Sequence, residues 1–397
     1  MPDADLPFTR SEYAQRLAKV RHAMDRAGIE TLISVDPSNM AWLTGYDGWS
    51  FYVHQAVIIG PTGDPVFWGR AMDAAGARRT CYMADSDIVA YPDHYVMSDA
   101  RHPMDHLALS LAERGWAGGT IGVEMENYYY SARAHAVLGA AVDGRLNDAT
   151  GLVNWQRAIK SDAEIRFMRR AALIVERMHA RIREILRPGL RGNELAAELY
   201  HTGIMGAEDA EGPFGGDYPA IVPLLPAGKD ASAAHLTWSD KPYPADVGMF
   251  FEIAGCYRRY HAPLCRTAWL GQPPDEARRA EAVVMEGVAS GIDAARAGNT
   301  AGDVARAFYS VLVRNNVQRD GRCGYPIGLS YPPDWGERTF SIRPEDETEL
   351  QPGMTFHFMP GLWQNDWGLE ITEPLLVLSE GSAERLGDVP QEIFVRT

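Results

Sequence analysis

The stretch FFEIAGCYRRYHAPLCRT (250–267) decides how this chain folds. Apolar and aromatic residues dominate it, which predicts a pair of strands at about 248–270. One carboxylate, that of Glu252, interrupts the apolar run that begins at Met249. An ionised carboxylate on an apolar strand is unfavourable unless a partner neutralises it, so Glu252 is the first candidate for a functional residue.

Helices flank this strand pair on both sides in the sequence. Ser161 followed by Glu164 has the form of a capping box and predicts a helix start. A second helix is predicted at 192–205, and a long helical segment is predicted at 274–316. Strands that are spread between helices and joined as hairpins favour an α+β fold over a doubly wound parallel sheet.

The first part of the chain has a different organisation. Helical and strand-like pieces alternate there, beginning with a helix that Thr9 and Glu12 are placed to cap and followed by a buried strand at 30–35. The segment 53–69 reads as a hairpin. This pattern predicts a small three-layer α/β domain, and we place the boundary near residue 155.

Composition excludes several classes of protein. The 397 residues contain 38 Lys and Arg against 53 Asp and Glu, a net charge of −15, which disfavours binding to nucleic acid. The four cysteines are scattered and form no C-x-x-C pair, so no disulfide framework is expected. No stretch of 18 uncharged apolar residues is present, and the opening MPDADLPFTRSEY lacks the apolar core of a signal peptide. We therefore expect a cytoplasmic protein.

Several segments resemble one enzyme superfamily, in the right order along the chain. The segment RAIKSDAEIRFMRRAA (157–172) resembles the opening helix of the creatinase and methionine-aminopeptidase (M24 peptidase) superfamily. Later matches are AAHLTWSD (233–240), the strand pair at 250–267, GYPIGLSYPPDWGE (324–337), PGMTFHFMPG (352–361) and WGLEITEPLLVL (367–378). The stretch DPSNMAWLTGYDG (36–48) resembles the end of a creatinase-type N-terminal domain. The resemblance implies a creatinase-type α/β domain at 1–155, followed by an α+β "pita-bread" catalytic domain at 156–397.

Metallopeptidases of this superfamily hold two metal ions with five ligands, and the resemblance locates those positions here. The first aspartate falls on Glu252, and the remaining ligands fall on Pro263, Tyr325, Met359 and Thr372, with Glu373 next to the last. Proline and a thioether cannot replace carboxylates around a hard divalent cation. The sequence therefore predicts no catalytic metal and no other cofactor.

The amino-acid sequences of four segments are similar to those of a metal-free branch of the superfamily, the ectoine hydrolases. These segments are YDGWSFYVHQAVIIG (46–60), GGDYPAIVPLLPAGKDASAAHLTWSD (215–240), the strand pair at 250–267 and YPIGLSYPPDWGERT (325–339). The resemblance implies opening of the cyclic amidine ring of ectoine by water, which gives N-acetyl-L-2,4-diaminobutyrate. Such a reaction needs an anionic partner for the amidinium, a nucleophile and a proton donor.

Four residues are candidates for catalysis. Glu252 is the proposed carboxylate, with a structural ion pair to Arg266 as the alternative. His235 matches the superfamily's site histidine and is the proposed proton shuttle; a histidine in a loop otherwise has a structural role. Tyr325 offers a hydroxyl to the tetrahedral intermediate, or it packs in the core. Glu370 and Glu373 lie on opposite faces of a predicted strand, and of the two we prefer Glu373.

Six residues are candidates for substrate binding. Aromatic faces favour an amidinium through cation–π contacts, and a guanidinium suits the substrate carboxylate. The candidates are Trp49, Tyr52, His54, His261, Trp335 and Arg338, with Arg322 and Arg266 as other guanidinium options. In creatinase-like homodimers the N-terminal domain reaches over the partner's site, so the resemblance implies that Tyr52 and His54 act across a dimer interface.

Three other functions compete with ectoine hydrolysis. A creatinase-like amidinohydrolase is the first, and a metal-dependent aminopeptidase or prolidase is the second. A non-catalytic binding module is the third. Pathway logic adds functional coupling to a deacetylase that consumes the product.

Overall fold

The computed structural model describes residues 6–364 and 366–397, which form two compact units divided between residues 157 and 158. Residues 1–5 lie outside the described residues. They belong to the opening segment that lacks the apolar core of a signal peptide. Within the described ranges, no helix is long and apolar enough to cross a membrane.

A six-stranded mixed sheet forms the centre of the first unit. Its strand order is β4-β3-β2-β1-β5-β6, with antiparallel pairing of β1 with β2 and of β2 with β3 and parallel pairing elsewhere. The strands are β1 (Thr31–Ser34), β2 (Ala56–Ile59), β3 (Val66–Arg70), β4 (Ile88–Tyr91), β5 (Thr120–Val123) and β6 (Arg145–Asp148). The helices are α1 (Arg10–Ala27), α2 (Pro37–Thr44), α3 (Ala71–Thr80), α4 (Pro103–Glu113), α5 (Ala132–Ala141) and α6 (Leu152–Arg157). The predicted hairpin is the β2–β3 pair.

The first helix illustrates how local sequence sets these elements. Thr9 caps α1 by accepting a hydrogen bond from the backbone N–H of Glu12, as predicted. Gly28 ends the helix with a φ of 64°, a conformation that glycine adopts at little cost. Apolar residues of α4 and α5 then pack on one face of the sheet, around Trp68 and Ile58.

Antiparallel strand pairs and long helices form the second unit. The helices are α7 (Asp162–Ile185), α8 (Gly192–Met205), α9 (Asp275–Ala294) and α10 (Ala301–Arg314). The strands are β7 (Ala207–Asp209), β8 (Gly212–Phe214), β9 (Val247–Tyr257), β10 (Tyr260–Leu270), β11 (Gly324–Pro326), β12 (Thr355–Phe358), β13 (Gly361–Trp363), β14 (Gly368–Glu370), β15 (Glu373–Leu376), β16 (Glu384–Arg385) and β17 (Phe394–Arg396). The sheets are β17-β10-β9, β11-β12-β15-β16, β13-β14 and β7-β8. The α+β prediction is confirmed.

Two predicted elements of this unit can be compared directly with the structure. The capping box at Ser161 and Glu164 is present in both directions and starts α7. The single helical segment at 274–316 was wrong, because Thr300 and Asp303 form a second capping box that starts α10 after a break at Ala295–Thr300. The strand pair at 248–270 is confirmed as β9 and β10, which are joined by a two-residue turn.

Candidate active site

The register of β9 and β10 brings three polar side chains to one face of the sheet. Glu252 lies opposite Cys265, and His261 lies opposite Cys256. Directly paired residues share a face, and so do residues two apart on a strand, so Glu252, His261 and Cys265 point to the same side. The other face is covered by α7, since a Cβ added at Gly255 would lie 2.0 Å from a carbonyl oxygen of that helix. The three side chains therefore face away from α7.

Two buried carboxyl groups approach each other on this side. Glu252 and Glu370 expose 6% and 1% of their surface. Burial raises the pKa of Glu370 to about 7, and burial together with the charge of Glu370 raises the pKa of Glu252 well above its ordinary value. The thiol of Cys265 interacts with both, and burial followed by these two charges raises its pKa as well. A carboxyl pair of this kind favours sharing one proton near neutral pH.

This pair is left open toward a ligand. In the part of the chain that the structure describes, Glu252 makes no ion pair, and Oε2 of Glu370 has no hydrogen-bond partner although it is buried. A cation with N–H donors would satisfy both carboxyl groups. The site therefore suits an amidinium or guanidinium group.

A chain of hydrogen bonds lies beside the carboxyl pair. The indole Nε1–H of Trp335 donates to the hydroxyl of Tyr325 over 2.7 Å. Nδ1 of His357 lies 3.2 Å from the same hydroxyl, and its Nε2 lies 2.6 Å from Oγ1 of Thr372. The backbone N–H of Cys265 also donates to Oγ1 of Thr372, over 2.7 Å. Four side chains thus form one continuous network.

Burial sets the protonation of the network. It lowers the pKa of His357 to about 3, with the charges of Arg266 and Arg322 acting in the same direction, so the imidazole is neutral. It also raises the pKa of the Tyr325 phenol, and the charge of Glu252 raises it further. The hydroxyl of Tyr325 therefore keeps its proton beside Glu252 at neutral pH.

His261 has an unfilled hydrogen-bonding position. Its Nε2 accepts a hydrogen bond from the backbone N–H of Ala220 over 2.9 Å, and burial lowers its pKa to about 4. The neutral ring must then carry its proton on Nδ1, which is buried and has no partner among the described residues. The ring also lies 6.4 Å from that of Trp335. His261 can therefore offer an N–H to a ligand.

Glu373 does not join the carboxyl pair. Its carboxylate lies 2.6 Å from the guanidinium of Arg266, and the two side chains are 0% and 5% exposed. Gln391 and Arg385 approach the same oxygen. Arg266 also donates to four backbone carbonyl groups, those of Cys265, Thr372, Val389 and Pro390. Arg266 therefore binds Glu373 and leaves Glu252 unneutralised.

The single strand predicted to carry Glu370 and Glu373 was wrong, because Glu370 ends β14 and Glu373 begins β15 in another sheet. Glu370, rather than the preferred Glu373, interacts with Glu252 and Cys265. Glu370 and Thr372, two residues apart, both reach the site side, and Glu373 lies on the other side against Arg266. Glu373 is held on that side by its buried ion pair with Arg266. The sequence alone does not indicate which of the two glutamates contacts this arginine. A catalytic role of Glu373 stays a prediction, but the carboxyl group that interacts with Glu252 in the structure is that of Glu370.

The remaining predicted residues of the second unit lie apart from one another. His235 is exposed in the loop after a 3-10 turn at Gly228–Ser232. Trp335 is 1% exposed and belongs to the network described above. Arg338 has a φ of 55°, is partly exposed and lies 3.9 Å from Asp334. Of these three, the structure brings only Trp335 to the carboxyl pair and its network.

Three predicted residues belong to the first unit. Trp49 and Tyr52 are each 62% exposed, and the Trp49 ring packs edge-on against that of Phe51. His54 is half-buried, and burial together with the neighbouring His102 lowers its pKa to about 4. Tyr52 and His54 line a cavity of about 220 Å³. The first unit thus exposes two large aromatic side chains, and one of them, Tyr52, lines a cavity together with His54.

Sequence reasoning missed His357 and Cys265 and set Glu370 aside. A signal for His357 was present: it lies two residues before Met359, so on a strand it shares the face of that vacated ligand position. Cys265 is directly opposite Glu252, but this register becomes visible only when the turn between the strands is known.

The donor atoms here do not fit the two metal ions of the peptidases. The positions of three peptidase ligands hold Pro263, Tyr325 and Met359, and the hydroxyl of Tyr325 is engaged with Trp335 and His357. Over residues 6–364 and 366–397, no three His, Cys, Asp or Glu side chains are placed to hold a metal ion. The site therefore has carboxyl groups without the ligand set that a pair of divalent cations needs.

Both parts of the chain match known families. Residues 166–379 match metallopeptidase family M24, and residues 16–159 match the creatinase/prolidase N-terminal domain. An ectoine hydrolase of Halomonas elongata is 56% identical over 400 residues, which cover 100% of each chain. A probable dipeptidase of Mycobacterium tuberculosis is 25% identical over 98% of each chain.

Solved structures share the fold over nearly the whole chain. A recombinant prolidase from Thermococcus sibiricus superposes with a TM-score of 0.82 at 18% identity, over 97% of this chain and 99% of that one. A Xaa-Pro dipeptidase from Bacillus anthracis gives 0.80 at 21% identity, over 97% and 100%. These likenesses confirm the pita-bread fold predicted from the sequence.

Proposed function

Because this chain belongs to metallopeptidase family M24 and carries its creatinase/prolidase N-terminal domain, we propose that it is a metal-independent hydrolase that opens the cyclic amidine ring of ectoine. The product is N-acetyl-L-2,4-diaminobutyrate. One observation carries the proposal: two buried carboxyl groups, Glu252 and Glu370, interact with each other, and neither forms an ion pair among the described residues. The similarity to an ectoine hydrolase supports the choice of substrate.

The substrate's charge complements this site. Ectoine carries a delocalised amidinium in its ring, and its two N–H groups suit two carboxyl oxygens. Desolvation makes such pairing strong, since the carboxyl groups are nearly inaccessible to water. An isolated carboxylate would be unfavourable here, so substrate binding relieves the cost of burying Glu252 in its ionised form.

Hydrolysis then needs a nucleophile at the ring carbon. Glu252 supplies it in one of two ways, by attacking the carbon itself or by removing a proton from an attacking water. The hydroxyl of Tyr325 donates a hydrogen bond to the tetrahedral intermediate. The departing ring nitrogen takes up a proton; His235 stays the predicted shuttle, and its exposed position allows exchange with solvent.

The substrate carboxylate needs hydrogen-bond donors of its own. The Nδ1–H of His261 is a buried donor with no partner among the described residues. Arg338 stays the predicted guanidinium. Trp335 is buried and donates to Tyr325, and we place its ring beside the bound substrate.

A substrate panel tests the proposed reaction. Purified enzyme is incubated with ectoine, creatine and a Xaa-Pro dipeptide, and products are separated by chromatography. We expect N-acetyl-diaminobutyrate from ectoine and no turnover of the other two. Turnover of creatine alone would establish a creatinase-like amidinohydrolase, and cleavage of the dipeptide alone would establish a peptidase. Binding of ectoine without turnover would establish a binding module.

The acid limb of the pH profile reports on the carboxyl pair. Glu252 must be ionised to act, and burial together with the charge of Glu370 raises its pKa, so kcat/KM for ectoine rises with pH well above the usual range of a glutamate. In Glu370→Gln the repulsion is lost, the pKa of Glu252 falls, and the acid limb moves to lower pH. Cys265 and Tyr325 also face the pair, and both stay protonated over this range because burial raises their pKa.

Steady-state kinetics of both enzymes from pH 5 to 9 measure the shift. The control is Glu349→Gln, which removes an exposed carboxylate of the same unit. A limb that stays in place in Glu370→Gln, or moves to higher pH, would contradict the carboxyl pair.

We further propose a homodimer in which the aromatic surface around Trp49, Tyr52 and His54 covers the partner's site. Exposure of two large aromatic side chains supports an interface there. Light scattering on the purified protein should give about 88 kDa, twice the 43.8 kDa of one chain. Coupling to a deacetylase follows from the chemistry of the product, an N-acetylated amine, and would appear as faster overall turnover when both enzymes are mixed.

A further inference from the structure

We propose that Thr372 and His357 are positioning residues that hold the hydroxyl of Tyr325 as a hydrogen-bond donor into the site. The inference rests on the proposed hydrolysis and adds to it two residues that do not touch the substrate. It is carried by the order of donors and acceptors in the network that begins at Trp335 and ends at the backbone of Cys265.

Both ends of the network are groups that only donate. The indole N–H of Trp335 has no acceptor function, and neither has the backbone N–H of Cys265. Each of them occupies one lone pair of the oxygen it meets, that of Tyr325 at one end and that of Thr372 at the other. The three protons between these ends, on two hydroxyl groups and one neutral imidazole, can therefore be arranged in only two ways.

In the first arrangement the hydrogen bonds are donated in the direction of Tyr325. The hydroxyl of Thr372 donates to Nε2 of His357, and the Nδ1–H of His357 donates to the oxygen of Tyr325. Every donor and acceptor in the network then has a partner except the hydrogen of Tyr325. That hydrogen is directed away from Trp335 and His357, and of the charged groups that act on this hydroxyl (Glu252, Asp334 and Arg322) Glu252 has the largest effect.

In the second arrangement the hydrogen bonds are donated in the direction of Thr372. Tyr325 donates to Nδ1, Nε2–H donates to Thr372, and the hydroxyl of Thr372 must find another acceptor. The structure gives it none within the described ranges, and Thr372 is 0% exposed. The second arrangement leaves the hydrogen of a fully enclosed threonine without an acceptor, whereas the first leaves that of Tyr325, which is 9% exposed and can meet a ligand. The first arrangement therefore prevails.

In this arrangement the hydroxyl of Tyr325 is oriented to donate a hydrogen bond to a ligand. With two incoming hydrogen bonds its oxygen is polarised, and its own hydrogen bond to a ligand is strengthened. Since Trp335, His357 and Thr372 are almost fully buried, the orientation is fixed before the substrate arrives. Two of the positions concerned, Tyr325 and Thr372, are those at which the resemblance places metal ligands in the peptidases, so a hydrogen-bond network occupies the place of the metal site.

A double-mutant cycle on ectoine turnover tests the coupling. Thr372→Val removes the hydroxyl and keeps the shape, and it should lower kcat about 10-fold with little change in KM. Tyr325→Phe should lower kcat about 100-fold, because it removes the donor itself. The double variant should be no slower than Tyr325→Phe alone, since Thr372 acts only through Tyr325. Thr372→Ser, which keeps the hydroxyl, should retain most of the activity.

Losses that multiply in the double variant would overturn the proposal, as would full activity of Thr372→Val. The melting temperature of each variant separates an altered site from a protein that fails to fold.

A second measurement does not depend on turnover. Nitrogen-15 NMR of histidine-labelled protein distinguishes the two tautomers, and the signal of His357 is identified among the 11 histidines by its loss in His357→Gln. We expect the Nδ1–H tautomer in the unmutated enzyme, and the Nε2–H tautomer would overturn the proposal. If ectoine is not turned over, the proposed function fails, and the tautomer still decides whether the network is ordered as described.

Discussion

Glu252→Gln should lower kcat for ectoine by about 1,000-fold or more, because the amide has no charge to attack the ring carbon or to activate water. The same change should leave the melting temperature unchanged or raise it. Glutamine has the shape of glutamate, and it removes both the cost of burying a charge and the repulsion with Glu370, which together raise the pKa of Glu252 in the folded state. Loss of activity with gain of stability is the mark of a group kept for function.

Steady-state kinetics and thermal unfolding of the same preparation measure both effects. Glu349→Gln serves as the control for a carboxylate that is exposed, and neither property should change in it. A Glu252→Gln enzyme that keeps more than about a tenth of its kcat would exclude this carboxylate from the chemistry.

Arg266→Met should lower the free energy of unfolding of the second unit by about 3–5 kcal/mol, which corresponds to roughly 10 °C in melting temperature. Its guanidinium is the counter-ion of Glu373, and both groups are buried. Without it, Glu373 is left uncompensated in the core, and four backbone carbonyl groups lose a donor. At a temperature where the variant is folded, ectoine turnover should persist, since Glu373 and Arg266 face away from the carboxyl pair.

The matched control is Arg169→Met, which breaks an exposed ion pair with Glu384 in the same unit. Surface pairs contribute about 0–1 kcal/mol, so the melting temperature should hardly move. Equal destabilisation by both substitutions would show that burial of the Arg266 pair does not matter. A complete loss of turnover by folded Arg266→Met would place the pair in the site.

Local signals in the sequence were sufficient for most of the fold. The capping box at Ser161 and the apolar run around Glu252 predicted α7 and β9, because both depend on neighbours in the chain. The break between α9 and α10 was missed, although Thr300 and Asp303 have the spacing of a capping box. A start signal within a long helical pattern is easily overlooked when apolar periodicity continues on both sides.

The site was less accessible to sequence reasoning, since it depends on contacts between distant segments. Glu370 and Glu373 were expected on one strand but belong to β14 and β15, and only the position of Arg266 shows which of them is neutralised. The role proposed for His357 depends on its hydrogen bonds to Tyr325 and Thr372, which lie 32 and 15 residues away in the chain. No local sequence pattern predicts contacts between residues so far apart in the chain.

The most direct test of metal-independent ectoine hydrolysis is turnover by enzyme dialysed against EDTA, with the metal content of the same sample measured by inductively coupled plasma mass spectrometry. We predict that N-acetyl-diaminobutyrate forms at an unchanged rate while the sample holds far less than one metal ion per chain. Activity that disappears with the chelator and returns on addition of Mn²⁺ or Co²⁺ would contradict the account.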